Sequence, residues 1–390
     1  MADVKHWDNS LPLPLLISSE AEQIATWLTA HPLTLEQVQW LAAQNLAPFL
    51  AHHFKSLDLL QHLPSQSADV LRRNLLVRAA QAALQQAELG KVLDGLAVAN
   101  LSDQALLMKG SALAYTVYPL PACRPRGDID IWMPPAHFAQ TVAVLAELGY
   151  APRNKEYRPP TFVALVGGEQ QMVNPQPGTG LIEVQQPAIR GEWIRLTAAI
   201  DHARVFERRV WVDIAGRQAR VMADEDLLLH LCVHMAINHQ FAMPWLRGLL
   251  DIHLLAQRPL DWAVIVARAK TWRISTLTWT VLDLAVRLMG APVPKSVLAQ
   301  LAPSGARQRL IHSLGLGERL MRLDKGGYSY RRFVIQTLMV DRPRDVARLY
   351  GRALFPETVW LQARYGISAP VDIWRKRLTH PLHVFTTAQV

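Results

Sequence analysis

The sequence predicts a mixed α/β centre, residues 101–222, set between two helical regions, residues 1–100 and 223–390. Three observations carry that prediction. Apolar residues recur with a 3.6-residue period through both flanks, the centre switches to short apolar runs and period-2 alternation, and clusters of Gly and Pro separate those runs. At about 100 to 200 residues per domain, a chain of this length has room for two or three domains with substantial cores.

In chain order, Ser19-x-x-Glu22 and Thr34-x-x-Gln37 have the spacing of capping boxes, and a long helix is expected over residues 67–100. The run Ala105–Met108 reads as a strand, Lys109-Gly110-Ser111 as the turn after it, and the following SALAYTVY as a helix. A proline-rich loop leads to DIDIWM, whose alternation marks a strand with one buried face, ended by Pro134 and Pro135. A helix over 135–148 stops at Gly149, and further strands are expected over 161–166, 181–185 and 208–214, with GGEQQMVNPQPGTG as loop. Helices then follow over 227–237, 245–256, 261–270 and 274–289.

Composition narrows the class. Half of the residues are apolar, 19% are charged and the mean hydropathy is +0.07, as in a compact globular chain. No stretch approaches the roughly 18 uninterrupted apolar residues of a spanning helix, since the richest, 274–293, contains Asp283 and Arg287. Asp3 and Asp8 stand where a secretory leader needs basic residues, and two lone cysteines, Cys123 and Cys232, offer no disulfide framework. A cytoplasmic location is expected. The net charge of +9 is concentrated in residues 306–390, which hold 15 Lys and Arg against 6 Asp and Glu. Such a segment suits an anionic partner, RNA or an acidic polymer among them, or else forms a solvated basic surface.

Asp128 and Asp130 project from one face of their strand, about 6–7 Å apart at the Cα atoms. Two carboxylates on one face repel each other, and a divalent cation between them relieves that repulsion. Upstream, Gly110 and Ser111 lie between a strand and a helix, where free backbone N–H groups and a helix N-terminus receive phosphate. Arg124 and Arg126 precede the carboxylates and can pair with phosphate through two parallel hydrogen bonds, or face solvent; Lys109 is a phosphate contact or a strand-end charge. Glu183 and Asp213, each on a short apolar strand, compete as a third carboxylate. Asp226, His230, His234 and Asn238 form an i, i+4 polar seam on an otherwise apolar helix. His230 and His234 have the spacing of a helical zinc pair, but the glutamate of the metalloprotease motif and a third ligand are missing, so they read as buried hydrogen-bonded or cleft-lining histidines.

The segment LLMKGSALAYTVYPLPACRPRGDIDIWM resembles the signature of the nucleotidyltransferase superfamily that includes DNA polymerase β and the aminoglycoside nucleotidyltransferases. Within it, the pattern of Leu, Lys-Gly, a small-residue helix and Arg before Asp-Ile-Asp is similar to that of a family of uncharacterised bacterial nucleotidyltransferases. The likeness extends through LIEVQ to the helix DLLLHLCVH, although the 16 residues between Ser111 and Asp128 exceed the generic gap. The resemblance implies an α/β (α+β) nucleotidyltransferase-like core with a small mixed sheet. It also implies two Mg²⁺ (or Mn²⁺) ions on Asp128, Asp130 and a third carboxylate, for which it favours Glu183, and β- and γ-phosphates held by Gly110 and Ser111. It points to His234 as cleft-lining. Where the family has Asp-Leu-His-Trp, this chain has Glu183-Val184-Gln185-Gln186.

The expected reaction is in-line transfer of an NMP, AMP being the leading case, from an NTP to a hydroxyl of an unidentified acceptor: a small molecule, peptide, protein or RNA. Two other readings share the same residues. A kinase would move the γ-phosphoryl group with the same cradle and metal pair, and a non-catalytic module would bind nucleotide or a partner without turnover.

Overall fold

The structure is a computed structural model that describes residues 11–153, 168–176, 179–241, 244–313 and 330–386. Four short helices open it: α1 (Leu13–Leu16), α2 (Ala21–Ala30), α3 (Leu35–Ala43) and α4 (Ala47–Ser56). The capping box expected at Thr34 is present, with Thr34 and Gln37 each bonding the other's backbone N–H. The box expected at Ser19 does not form. The α2 helix starts after Glu20 without a side-chain cap, and the Ser18 hydroxyl instead accepts from the Glu20 N–H.

Helix α5 (Ser65–Val98) runs for 34 residues, about 51 Å at 1.5 Å per residue. Its first turns bury Ala68 and Leu71 against the N-terminal helices, and its last turns bury Leu89, Val92, Leu93 and Leu96 in a second apolar cluster. Between them Leu76 is 72% and Leu84 56% exposed.

A seven-stranded mixed sheet follows, in the order β3-β4-β5-β2-β1-β7-β6. Its strands are β1 (Leu106–Met108), β2 (Asp128–Trp132), β3 (Ala151–Arg153), β4 (Gly168–Val173), β5 (Leu181–Gln186), β6 (Val210–Ile214) and β7 (Arg217–Val221). β2 pairs parallel with β5 and antiparallel with β1, while β4 is antiparallel to β5. Ile129, Ile131, Ile182 and Val184 form one face and pack under α5 and helix α7 (Pro135–Glu147). Each such fully buried side chain contributes on the order of 1.5–3 kcal/mol. The other face carries the polar residues of β2 and β5, and on it Trp132 packs edge-on against Phe206 at 5.4 Å. Helix α6 (Lys109–Thr116) joins β1 to the loop before β2.

Three strands depart from expectation, the first being the short β3, which pairs with β4 at the sheet edge. The glutamine-rich run read as loop contains β4, because pairing with β5 and burial of Met172 override its weak strand character. β7 forms a hairpin with β6 across Ala215 (φ 55°) and Gly216 (φ 78°), whose left-handed backbone suits a two-residue turn. The strand expected over 161–166 lies outside the described residues.

From Asp224 the chain is helical. The expected helix is Asp224–Val233, continued by a wider π-turn over His234–Asn238, and helices Trp245–Ala256, Trp262–Thr271 and Ser275–Met289 follow. Gly290, at φ 62°, ends the last of these. Several arginines of the basic C-terminal segment fasten these helices: Arg307 bonds the Leu338 carbonyl at 2.7 Å, Arg352 the Glu192 carboxylate at 3.2 Å and Arg377 the Thr358 hydroxyl at 2.8 Å. No helix among the described residues is long and apolar enough to cross a membrane.

Candidate active site

The site is built on the polar face of the sheet. Asp128 and Asp130 sit two residues apart on β2, and the parallel register sets Asp130 directly beside Glu183 of β5, one strand spacing away. The same register line continues to Gln171 on β4 and Met108 on β1. Each of the three carboxylates offers an oxygen within 4.8 Å of the other two. Asp213 lies elsewhere, on β6 at the sheet edge, where it accepts from the Gly216 N–H at 3.0 Å.

Asp130 is 1% exposed, and burial pushes all three carboxyl groups above their ordinary range, with their mutual repulsion adding to it. Lys109 opposes this. Its Nζ donates to Asp130 Oδ1 at 2.6 Å, and its backbone takes the left-handed region (φ 49°) between β1 and α6. A non-glycine residue there carries strain of order 1–3 kcal/mol, of the kind that collects at functional sites. Two glutamines complete the surroundings: Gln171 donates to Glu183 Oε1 at 2.7 Å, and Gln185 donates to Asp130 and to Glu183 Oε2. Gln185 Oε1 is buried without a partner. An all-oxygen set of three carboxylates, with a spare buried amide oxygen beside it, has the composition that hard divalent cations take.

The glycine and serine expected to cradle phosphate have a structural duty as well. Ser111 is fully buried, and its hydroxyl bonds the β2 backbone, accepting from Asp130 N–H (3.3 Å) and donating to the Asp128 carbonyl (3.4 Å). Gly110 lies under Arg124, whose Nη1 is 2.5 Å from where a Cβ would stand. Arg124 itself does not present the free fork expected of a bidentate phosphate contact. Its Nε and Nη2 bond the two oxygens of Asp251 at 3.0 and 2.8 Å, and Tyr118 donates to the same carboxylate at 2.7 Å. This buried pair instead fastens the loop before β2 to helix Trp245–Ala256. Arg126 stacks over Tyr115 (5.2 Å), donating to its hydroxyl and to Gln85.

Sequence reasoning missed two cations. Arg247, one turn before Asp251 on the same helix, donates to the Pro125 carbonyl at 2.9 Å, and burial pushes its guanidinium below its ordinary range. Arg190 follows β5, donates to the Gly168 carbonyl and to Glu169, and its charge acts on Asp130. Only the i, i+4 spacing of Arg247 and Asp251 on a helix left a trace in the sequence.

His234 lies on the helical side of the site. It stacks on His230 (5.7 Å, 19°), and its Nε2 is 3.0 Å from that of His239, one ring donating to the other. Burial lowers all three imidazoles, His230 to about 3, and the Lys109 charge adds to the effect. Asp226, the head of the predicted seam, is buried and held by Arg208 and Arg268 at 2.8 and 2.9 Å.

Comparison with known proteins agrees with this geometry. The family model for an uncharacterised nucleotidyltransferase matches residues 35–290, which hold α5, the whole sheet, the carboxylate cluster and the histidine seam. No curated protein and no solved structure matches the chain. With most of its length under that model and a three-carboxylate cluster formed by the Asp-Ile-Asp strand and its neighbour β5, the chain belongs to this uncharacterised nucleotidyltransferase family.

Proposed function

We propose that the protein is a magnesium- or manganese-dependent nucleotidyltransferase that moves an NMP, AMP foremost, from an NTP to an acceptor hydroxyl and releases pyrophosphate. The observation that carries this reading is the convergence of Asp128, Asp130 and Glu183 beside Lys109, Arg190 and Arg247. Carboxylates to hold cations and cations to hold phosphates are the two halves of a phosphoryl-group site.

Asp128, Asp130 and Glu183 would hold the metal, which when bound supplies Lewis-acid stabilisation of phosphate charge and makes the acceptor hydroxyl more acidic. The chain's own groups do the rest. Lys109 and Arg247 would offer positive charge to the triphosphate, and the first backbone N–H groups of α6, at Lys109, Gly110 and Ser111, would add the partial charge of a helix N-terminus. Glu183, whose carboxyl is pushed up by burial, is placed to receive the acceptor's proton. Arg124 acts indirectly, holding the loop before β2 through Asp251. His234 and His239, close enough for the Lys109 and Arg124 charges to act on them, are neutral hydrogen-bonding groups that would suit polar atoms of the base or the acceptor.

The test is incubation with Mg²⁺ and each NTP, with and without hydroxyl acceptors, followed by mass spectrometry. Pyrophosphate that disappears in Asp128→Ala/Asp130→Ala is the expected result. ADP in place of pyrophosphate would make the protein a kinase. If neither product forms, and nucleotide with Mg²⁺ stabilises wild type and double variant equally against heat, the metal-dependent reading fails.

A further inference from the structure

We propose that Lys109 is an internal stand-in for the divalent cation: its ammonium holds the carboxylate cluster while no metal is bound, and transfers to the nucleotide's phosphates once a metal takes its place. This rests on the metal-dependent reading above and adds to it an order and a coupling.

Three observations lead here. The Lys109 Nζ sits on Asp130 Oδ1 at 2.6 Å, on a carboxylate that is 1% exposed, so a cation ligated by this carboxylate would have to share it with the ammonium. The other donors to the cluster, Gln171 and Gln185, are neutral amides; among the described residues Lys109 is the one charged donor bonded to it. Neutral amides can turn, and Gln185 already has a buried oxygen without a partner, but an ammonium and a divalent cation on one carboxylate repel each other. Finally, Lys109 stands at the head of α6 with a left-handed backbone, where a long flexible stem can reach either the carboxylates or an anion at the helix N-terminus.

Charge count explains the direction of the transfer. Three carboxylates and one ammonium leave the cluster negative, which favours a divalent cation. Once that cation is in place the count is zero, so net charge no longer holds Lys109 on the cluster, and its ammonium, repelled by the neighbouring cation, pairs better with the negative phosphates. Metal and nucleotide binding therefore favour each other, by a factor within the roughly 5- to 150-fold typical of coupled sites.

The experiment measures Lys109 acetylation by an N-hydroxysuccinimide ester, using peptide mass spectrometry on the full chain. Mn²⁺ binding is followed in parallel by electron paramagnetic resonance, with Asp128→Asn to tie the signal to the cluster. Mn²⁺ alone is expected to raise Lys109 labelling several-fold, and an α,β-methylene ATP to lower it again. Lys109→Met is expected to bind Mn²⁺ about tenfold more tightly than wild type. Unchanged labelling in samples whose Mn²⁺ is bound, or a Lys109→Met variant that binds Mn²⁺ no more tightly, overturns the stand-in role and leaves the nucleotidyltransferase reading standing. Absence of Asp128-dependent Mn²⁺ binding in wild type removes that reading itself, and the stand-in with it.

Discussion

Gly110→Ala separates two reasons for a glycine at the head of α6. By helix propensity alone, alanine in place of a helical glycine gains about 1 kcal/mol. Geometry predicts the opposite sign. The new Cβ would stand 2.5 Å from Arg124 Nη1 and 3.2 Å from Arg126 Cβ, so the guanidinium must withdraw by nearly an ångström. Arg124 cannot do this freely, because Nε and Nη2 are both bonded to Asp251 and both side chains are buried. Overpacking costs about 1–3 kcal/mol, and a fully broken buried pair about 3–5 kcal/mol. A partly displaced pair, less the propensity gain, leaves a net destabilisation of about 2–4 kcal/mol. Urea unfolding of wild type, Gly110→Ala, Asp251→Asn and the double variant measures it as a cycle. Asp251→Asn loosens Arg124, so the cost of Gly110→Ala should fall by more than about 1 kcal/mol in that background. A neutral or stabilising Gly110→Ala, or strict additivity with Asp251→Asn, would refute the close-approach argument.

Two further outcomes follow from buried charge. Burial holds the His253 imidazole down to about 4, so the unfolded chain, with an ordinary value near 6.5, takes up the proton first; this group's contribution is complete above about pH 6.5 and is lost as pH falls towards 4. Between pH 7 and pH 5, wild type should lose about 2 kcal/mol more than His253→Gln, and parallel pH profiles of the two urea midpoints would contradict the assignment. Asp226 is fully buried between Arg208 and Arg268, and Asp226→Ala leaves both guanidinium groups without their partner. A loss of about 3–5 kcal/mol is expected, read from chemical denaturation, and a change under about 0.5 kcal/mol would show the arrangement to be dispensable.

Local pattern carried the parts of the site that are close in sequence. Asp128 and Asp130 are two residues apart on a strand whose alternation is plain, and Lys109-Gly110-Ser111 follows a short apolar run at a strand-to-helix turn. Strand pattern alone left Glu183 and Asp213 level, since both sit on similar strands; the family resemblance favoured Glu183, and the β2–β5 register sets Glu183, not Asp213, beside Asp130. Gln171 was hidden because a polar glutamine run looks like loop until β5 is beside it. Arg124 looked like a phosphate fork because its partner Asp251 is more than a hundred residues away and cannot be paired from one sequence. Likewise the reason for Gly110 is a neighbour in space, not a turn. What escaped sequence reading is therefore the set of contacts made by tertiary packing, and what it captured is the set fixed by backbone period and short spacing.

Helix α5 gives the molecule a rotational phase. Its two ends are embedded in different apolar clusters, Leu71 in one and Leu89 to Leu96 in the other, while the turns between them are largely bare. Each residue of an α-helix advances about 100° around the axis. One residue added in the bare span would swing one embedded face about 100° away from its socket, whereas four would bring it back to within about 40°. The number of residues between the two sockets is thus constrained as tightly as the sockets themselves, even where most of the side chains in between face solvent.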